Sequence, residues 1–384
     1  MTTQPQSRVS LRDPGELIAA LPPLLGFRPV DSLVLAVFGD STRGDGRGAR
    51  LRLTVRADLP PPDLRSDLAG HLVSPVLGDG LTDSHAVAAI VIGGGTPDPG
   101  GRLPHHELPA ILAETFGDVD VPLVHSLWVE AIRGDATWRC YDDPDCHGTV
   151  PDPRSTVVAA TAAALGVNTF DSREDMAATI TPDDDEAMSR TAALLEQIMS
   201  PSDQAGSGHA LSRAVARGRE LLGELIDRHA VQSSTVDDQQ IADMALALSV
   251  PRIRDGMLGT AFSGRAPSAE RLWIELTRRT PASHRAEPAC LLGFSAYVRG
   301  DGALAGMALE QAMDAHPGHR LANLLRCALD SGFPPAEVRS ILSELGSGAD
   351  SSGLPADQDE SDQDDHCGGE PECRCGPIAA TGTG

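Results

Sequence analysis

Two cysteines and a histidine lie close together near the middle of the chain, as Cys140, Cys146 and His147. Thiolate and imidazole groups bind zinc, but a structural zinc site needs four ligands, and Cys-x5-Cys-His is not a standard spacing. Three interpretations stay open: part of a metal site, a redox or disulfide pair, and ordinary loop residues, which we favour. We therefore predict no bound metal and no cofactor.

An arginine, a carboxylate and a hydroxyl precede the first long apolar segment, as Arg28, Asp31 and Ser32. An arginine beside such groups can hold an anionic ligand. The alternative is turn chemistry, with Asp31 and Ser32 bonded to the backbone and Pro29 fixing the bend, and this is the interpretation we favour. These three residues and the cysteine–histidine group are our ligand-binding candidates, and we assign no catalytic residue.

Three further groups carry a weaker chemical signal. The glycine run at 93–96 follows an apolar segment and resembles a phosphate-binding loop, but prolines follow it, and we predict a flexible connector. The His-His-Glu group at 105–107 lacks the His-Glu-x-x-His spacing and is interpreted as the polar start of a helix. The soft ligands at 366–367 and 373–375 are interpreted as incidental.

Hydrophobic periodicity predicts the elements that must position these residues. A short helix is expected to begin at Asp13-Pro14 and to end at Pro22-Pro23. Strands are predicted at 32–38, 49–55, 86–92, 121–132 and 137–141, and helices at 64–77 and 105–116. The order β-β-α-β-α-β-β predicts an α/β half with a mixed sheet and packed helices.

After residue 151 the apolar period changes to 3.6, which predicts an all-α half. Helices are predicted at 155–165, 173–180, 184–199, 210–229, 237–249, 252–262, 269–280, 289–299, 303–315, 320–331 and 335–345. The expected organisation is a leader at 1–10, an α/β domain at 11–150, a helical domain at 151–346 and a disordered, acidic, cysteine-containing tail at 347–384.

One helical hairpin, at 289–317, has the small-residue spacing of a tetratricopeptide repeat. Its signature consists of Gly293 in the first helix, a Gly300-Asp301-Gly302 turn, Ala305 and Ala312 in the second helix, and Pro317. Repeat arrays need about three copies to be stable, and one copy is clear here. We favour a lone hairpin packed on its neighbours; the alternative is a groove for a partner helix or peptide.

The composition excludes several function classes. All 31 basic residues are arginine, so this chain can form no lysine Schiff base and has no Walker-A lysine. The net charge of −24 disfavours nucleic-acid binding. The polar first residues lack a signal sequence, no apolar run approaches the about 20 residues of a membrane span, and the cysteine number is odd. We expect a cytoplasmic protein with no membrane partner.

Residues 11–40 resemble the opening of an actinobacterial family known as domain of unknown function 4192. The resemblance rests on Leu25-Gly26-Phe27-x-Pro29-x-x-Ser32-Leu33-Val34, and residues 299–325 are similar to the family's closing region. Its typical Cys-Cys-Pro-x-Glu-Gly run has a counterpart at 138–149, where His147 replaces the second cysteine and the Pro-x-Glu is absent. The resemblance covers roughly residues 10–345 and implies no activity.

Two functions remain open at this point. The first is a non-catalytic binding or regulatory protein, with a protein or peptide partner at the helical half. Its basis is the tetratricopeptide-like hairpin together with the lack of a catalytic motif. The alternative is an enzyme of unassigned reaction, with its site at the strand ends of the α/β half.

Overall fold

The computed structural model describes residues 13–39, 50–77, 84–164, 167–200, 207–228, 236–335 and 337–338. All of these residues belong to one compact unit. The expected leader and tail, and most of the helix predicted at 335–345, lie outside the described residues.

Six strands form one mixed sheet; the sequence predicts the mixed sheet and five of its strands. They are β1 (Ser32–Gly39), β2 (Arg50–Asp58), β3 (Ser84–Ile92), β4 (Leu123–Val129), β5 (Thr137–Cys140) and β6 (His147–Thr149). The sheet order is β2-β1-β3-β4-β5-β6. Strands β3 and β4 are parallel and the other neighbours are antiparallel. The start of β1 and the ends of β3 and β4 therefore meet at one edge, which we call the strand-end edge.

Three helices accompany the sheet: α1 (Pro14–Leu25), α2 (Arg65–Leu77) and α3 (Leu108–Gly117). Alternate residues of β1 and β3 form an apolar core with α2 and α3. Both strands lie inside the sheet, and β1 is buried along its whole length. Their continuous apolar sequences match this position, because a strand covered on both faces needs no polar alternation.

Helix α1 begins as predicted, because the Asp13 carboxylate accepts a hydrogen bond from the Glu16 N–H at 3.2 Å. The prediction that Pro22 and Pro23 end the helix was wrong. The helix continues to Leu25 and ends at Gly26, whose φ of 79° is left-handed. Each proline lacks one backbone donor, but the buried apolar face of the helix compensates for the lost hydrogen bonds.

The chain after residue 150 is helical in the residues that the structure describes, which confirms the predicted all-α half. Its helices are α4 (Val157–Ala164), α5 (Arg173–Ala178), α6 (Asp185–Met199), α7 (Ser207–Arg228), α8 (Asp238–Leu248), α9 (Pro251–Leu258), α10 (Ala266–Arg279), α11 (Ala282–Arg299), α12 (Gly302–Ala315) and α13 (Arg320–Asp330). Across the described ranges, no helix is both long enough and apolar enough to cross a lipid bilayer.

Helices α11 and α12 form the predicted hairpin. Gly300 ends α11 with a φ of 91°, and Asp301 caps α12 by accepting from the Leu304 N–H at 3.0 Å. The helices approach closely at Gly293, where an added Cβ would lie 2.7 Å from Leu309 Cγ. Helix α11 also contacts α8, α9, α10 and α13, so the hairpin is packed on its neighbours. Its tetratricopeptide likeness stays a prediction.

Helices α7 and α8 contact each other without an intervening side chain at Gly218. An added Cβ there would meet the Asp243 carbonyl oxygen and would lie 2.5 Å from its carbon and 2.8 Å from Ala247 Cβ. Beside this contact, the Arg217 guanidinium donates two hydrogen bonds, of 2.8 and 2.9 Å, to the buried Asp243 carboxylate. The glycine lets the two backbones approach closely enough for this pair to form.

We predict opposite effects on stability for two alanine substitutions in α7. Gly218→Ala lowers the free energy of unfolding by about 2 kcal/mol, since backbone atoms that cannot move aside oppose the new methyl group. The matched control is Gly223→Ala, whose Cβ meets nothing within 4 Å. It raises stability by up to about 1 kcal/mol through helix propensity. Urea unfolding of both variants measures the difference, and equal effects contradict the close approach of α7 to α8.

Candidate functional site

A turn of three glycines lies at the strand-end edge, directly after β3. Gly93, Gly94 and Gly95 have φ angles of 72°, 73° and 113°, a region that side chains disfavour. The turn is anchored to β4, because the Gly93 N–H donates to the Val129 carbonyl at 2.9 Å and Trp128 Nε1 donates to the Gly93 carbonyl at 3.0 Å. The run predicted to be a flexible connector is thus a hydrogen-bonded turn.

Two side chains lie against this turn, and we call the group of Asp31, Gly93, Gly94 and His105 the glycine clasp. Asp31 Oδ1 accepts a hydrogen bond from the Gly94 N–H at 2.8 Å. A Cβ on Gly94 would lie 2.6 Å from His105 Cδ2, and a Cβ on Gly93 would collide with Asp31 Oδ1. Asp31 and His105 themselves have left-handed φ angles of 41° and 52°. Such strain persists where surrounding contacts enforce it, and it is frequent at functional sites.

The surroundings of His105 keep its ring neutral. Burial lowers the pKa of His105 below its usual value, the charge of Arg65 lowers it further, and Asp31 acts in the opposite direction. The Nδ1 atom is buried and has no hydrogen-bond partner among the described residues. Arg65 is itself buried and forms an ion pair with Glu107. A neutral imidazole with an unused nitrogen is able to accept or donate a proton.

The loop that carries His105 is tied to the sheet by Tyr141. Its hydroxyl donates to the Pro104 carbonyl at 2.6 Å, one residue before His105. Burial raises the pKa of Tyr141, so it stays a neutral donor. Helix α3 begins only at Leu108, so the prediction of a helix from residue 105 was wrong at its start.

A second feature of the same edge is a cleft of about 180 Å³ lined by basic side chains. Its lining consists of Arg28, Ile132, Arg133, Gly134, Asp152, Pro153 and Arg154. We call it the arginine cleft. Three of its seven lining residues carry a guanidinium group, in a chain whose net charge is −24. A concentration of positive charge on an acidic protein is a local feature that the overall composition conceals.

Among the described residues, the three guanidinium groups of the arginine cleft share one ion pair, which Arg28 forms with an exposed carboxylate. Arg28 Nε is buried and lacks a hydrogen-bond partner among the described residues. Its one ion pair joins Nη2 to Asp171 Oδ1 at 3.6 Å, and the Asp171 side chain is 80% exposed. Arg133 and Arg154 are exposed, and neither has an acidic partner within the described ranges. The donors therefore remain available to an anion.

Two short loops hold the other cleft residues in place. In the loop after β6, Asp152 Oδ1 accepts from the Arg154 N–H at 3.0 Å, so the carboxylate is directed to the backbone. In the β4–β5 loop, Gly134 lies against Asp152, because a Cβ added to Gly134 would be 3.6 Å from Asp152 Cα. Buried Ile132 supplies an apolar wall. The two loops that carry the exposed arginines thus lie next to each other.

Arg28 also belongs to the contact between the two halves, which we call the junction. Phe27 and Phe170 form a parallel bridge, in which the Arg28 N–H donates to the Phe170 carbonyl at 3.0 Å and the Phe170 N–H donates to the Gly26 carbonyl at 2.8 Å. A Cβ on Gly26 would lie 2.6 Å from Met176 Cε and 3.6 Å from Asp301 Oδ2. The Leu25-Gly26-Phe27 segment and the distant Gly300-Asp301-Gly302 turn therefore meet here.

The structure separates the six candidate residues of the sequence into four places. Arg28 lines the arginine cleft and Asp31 belongs to the glycine clasp. Ser32 is buried, donates to the Val30 carbonyl at 2.6 Å and accepts from Arg56 Nε at 2.9 Å, whereas the sequence interpretation has it accept from backbone donors. Cys140, Cys146 and His147 lie in the β5–β6 hairpin and do not line the arginine cleft.

Sequence reasoning missed Arg65, Arg133 and Arg154. Nothing in the spacing of these arginines along the chain marks them as a group. The one local sequence signal for the position of Arg154 is the segment Asp152-Pro153-Arg154, which favours a short turn in which the Asp152 side chain accepts from the Arg154 N–H. Among the described residues, no three or more His, Cys, Asp or Glu side chains are grouped to hold a metal ion.

The chain has an α/β half followed by a helical half, with an arginine-lined cleft beside the contact between them. The family model described as domain of unknown function (DUF4192) matches residues 14–336, and the chain belongs to this family. The match includes the glycine clasp, the arginine cleft, the junction and the helical hairpin. No curated protein and no solved structure matches the chain.

We predict that Asp31→Asn lowers the pKa of His105 further. The amide keeps the hydrogen bond from Gly94 but removes the negative charge that opposes the effects of burial and Arg65. The pKa of His284, which burial alone lowers, serves as the internal control and stays unchanged. NMR titration of the imidazole protons measures both values. An unchanged His105 pKa contradicts the placement of Asp31 beside that ring.

The same change has a consequence for stability at acid pH. A histidine whose pKa is lower in the folded state contributes stability above the unfolded pKa of about 6.5, and this contribution is lost as the pH falls through the folded value. In Asp31→Asn the folded pKa of His105 is lower still. The variant should therefore lose more stability than the parent as the pH falls from about 6.5 through the folded pKa of His105.

Proposed function

We propose that this protein is a non-catalytic, cytoplasmic, ligand-binding regulatory protein that recognises a small anion in the arginine cleft. The observation that carries the proposal is that Arg28, Arg133 and Arg154 line one cleft. Among the described residues, their one ion pair joins Arg28 to the exposed Asp171 at 3.6 Å. The partly exposed thiols Cys140 and Cys146 are in keeping with a reducing compartment. The family resemblance favours an actinobacterial source.

The size and charge of the cleft favour a phosphoryl or carboxylate group over a large organic molecule. Pockets for drug-sized ligands enclose about 300–1,000 Å³, whereas this cleft encloses about 180 Å³. Guanidinium groups match the geometry of carboxylate and phosphate oxygens, and each hydrogen bond to a charged group contributes about 1.5–3 kcal/mol. Two engaged arginines give about 3 kcal/mol or more, enough for selective binding of a polyvalent anion.

The position of the cleft favours a regulatory role. Arg28 contributes its side chain to the cleft and its backbone to the junction, so an anion that orders this residue also stabilises the bridge to Phe170. A ligand stabilises the state to which it binds better. We propose that occupancy of the cleft is transmitted to the helical half, where a protein or peptide partner binds; nucleic acid and membrane lipids are not proposed as ligands.

The second candidate function is an enzyme of unassigned reaction at the glycine clasp. The observation that favours it is the strained, neutral His105, with a buried and unpartnered Nδ1 next to the strand ends. Turnover of p-nitrophenyl esters or phosphates tests this candidate. Activity that is lost in His105→Gln and survives in Arg133→Gln favours the enzyme.

We predict that the full chain binds inorganic pyrophosphate and that the double variant Arg133→Gln/Arg154→Gln binds it at least tenfold more weakly. Tenfold corresponds to about 1.4 kcal/mol, within the contribution of one charge-assisted hydrogen bond. Isothermal titration calorimetry measures the affinity, and added sodium chloride should weaken it by screening.

The matched control is Arg252→Gln/Arg320→Gln, which removes the same charge from two exposed arginines of the helical half. Its affinity should equal that of the parent chain. If the control loses as much affinity as the cleft variant, binding reflects net charge alone and the proposal is wrong.

A further inference from the structure

The cysteines of the β5–β6 hairpin are a cross-strand pair. The register of the hairpin pairs Thr137 with Thr149 and Arg139 with His147, and the next opposed pair is Cys140 with Cys146. The Cys140 N–H donates to the Cys146 carbonyl at 2.9 Å, which shows that the ladder extends to this position. The two residues therefore face each other where the hairpin turns.

Both residues are free cysteines of intermediate exposure. Directly opposite residues of an antiparallel pair carry their side chains on the same face of the sheet. Directly opposed residues of an antiparallel pair have Cα atoms about 4.5–5.5 Å apart. Disulfide bonds span Cα separations of about 4.4–6.8 Å. The backbone is thus already placed for a disulfide without movement of either strand.

We infer that Cys140 and Cys146 form a reversible intramolecular disulfide that closes the β5–β6 turn. The oxidant is a low-molecular-weight disulfide. One cysteine thiolate attacks it, forming a mixed disulfide and expelling one small thiolate. The second cysteine thiolate then attacks the protein sulfur of that mixed disulfide and expels the other small thiolate. The protein loses two hydrogen atoms, and the oxidant is reduced to two thiols.

The electrostatics of the turn select the kind of oxidant. Burial and the neighbouring Cys140 and Asp143 raise the pKa of Cys146, so little of its thiol is present as the nucleophilic thiolate at neutral pH. Asp142, Asp143 and Asp145 are exposed around it and repel an anionic reagent. A neutral disulfide is therefore the appropriate probe. Raising the pH towards the pKa of the thiols should accelerate the reaction.

The disulfide also constrains a residue that supports the glycine clasp. Tyr141 directly follows Cys140 and holds the Pro104 carbonyl next to His105. Closing the turn fixes the backbone on both sides of Tyr141, with its N–H already bonded to the Ser126 carbonyl at 2.9 Å. Oxidation is thus expected to slow hydrogen exchange at Tyr141 while leaving the sheet intact.

The test uses the full reduced chain, treated at neutral pH with bis(2-hydroxyethyl) disulfide, quenched by alkylation of the remaining thiols and then digested with trypsin. Cleavage after Arg139 and Arg154 releases both cysteines in one peptide, residues 140–154. The expected product is this peptide lighter by two hydrogen atoms, without bound reagent. In Cys140→Ser and in Cys146→Ser the same peptide should instead retain one 2-hydroxyethylthio group, half of the reagent, as a stable mixed disulfide.

The matched control is Cys146→Ser/His147→Cys. It keeps two thiols at almost the same spacing but moves the second one to the opposite face of β6, because neighbouring strand residues alternate. This variant should accumulate mixed disulfides instead of the closed ring. Two outcomes overturn the inference: a parent peptide that retains reagent on both cysteines, or ring closure in the control at the parent rate. Disulfides from residues 140–154 to other cysteines would also overturn it.

Discussion

The short backbone pairing between residues 26–28 and Phe170 is the contact on which both halves depend. Phe27 is buried there, and the two hydrogen bonds across the bridge fix where the chain enters β1. Gly26 makes this possible, since its left-handed φ ends α1 and its missing side chain leaves room for Met176 and Asp301. A side chain at position 26 would be strained by the left-handed φ and would collide with Met176. The end of helix α1, the entry to β1 and the contact with the helical hairpin therefore all depend on a glycine at this position.

Glycine has the same function at the glycine clasp. The left-handed turn at Gly93 and Gly94 leaves room for Asp31 and His105 against the backbone, and both side chains come from strained residues of their own. The strain is maintained by packing and by the hydrogen bond from Gly94 to Asp31. At one edge of the sheet, the molecule thus holds a histidine of lowered pKa and, in the arginine cleft, three arginines that share one ion pair among the described residues. The arginine cleft is the stronger candidate for the functional site, because anion binding requires only a ligand, whereas catalysis at the glycine clasp would also require a substrate and a reaction.

The sequence predicts the elements that have continuous or periodic apolar residues. Strands β1 and β3 follow from their apolar runs, and the helices after residue 150 follow from their period. Strand β6 was missed, because His-Gly-Thr has no apolar pattern and becomes a strand only by pairing with β5. The end of α1 was misplaced because tertiary burial outweighs the cost of two prolines. Arg28 was predicted as an anion-binding candidate, but Arg133 and Arg154 join it only through the folding of two distant loops.

The central claim is that an anion in the arginine cleft stabilises the junction through Arg28. Hydrogen–deuterium exchange of the full chain, with and without inorganic pyrophosphate, tests it most directly. The account predicts slower exchange in the cleft loops at 132–134 and 152–154 and also at the Arg28 and Phe170 amides, which bond across the junction. Slower exchange in the cleft loops alone, with unchanged exchange at those two amides, would contradict the claim.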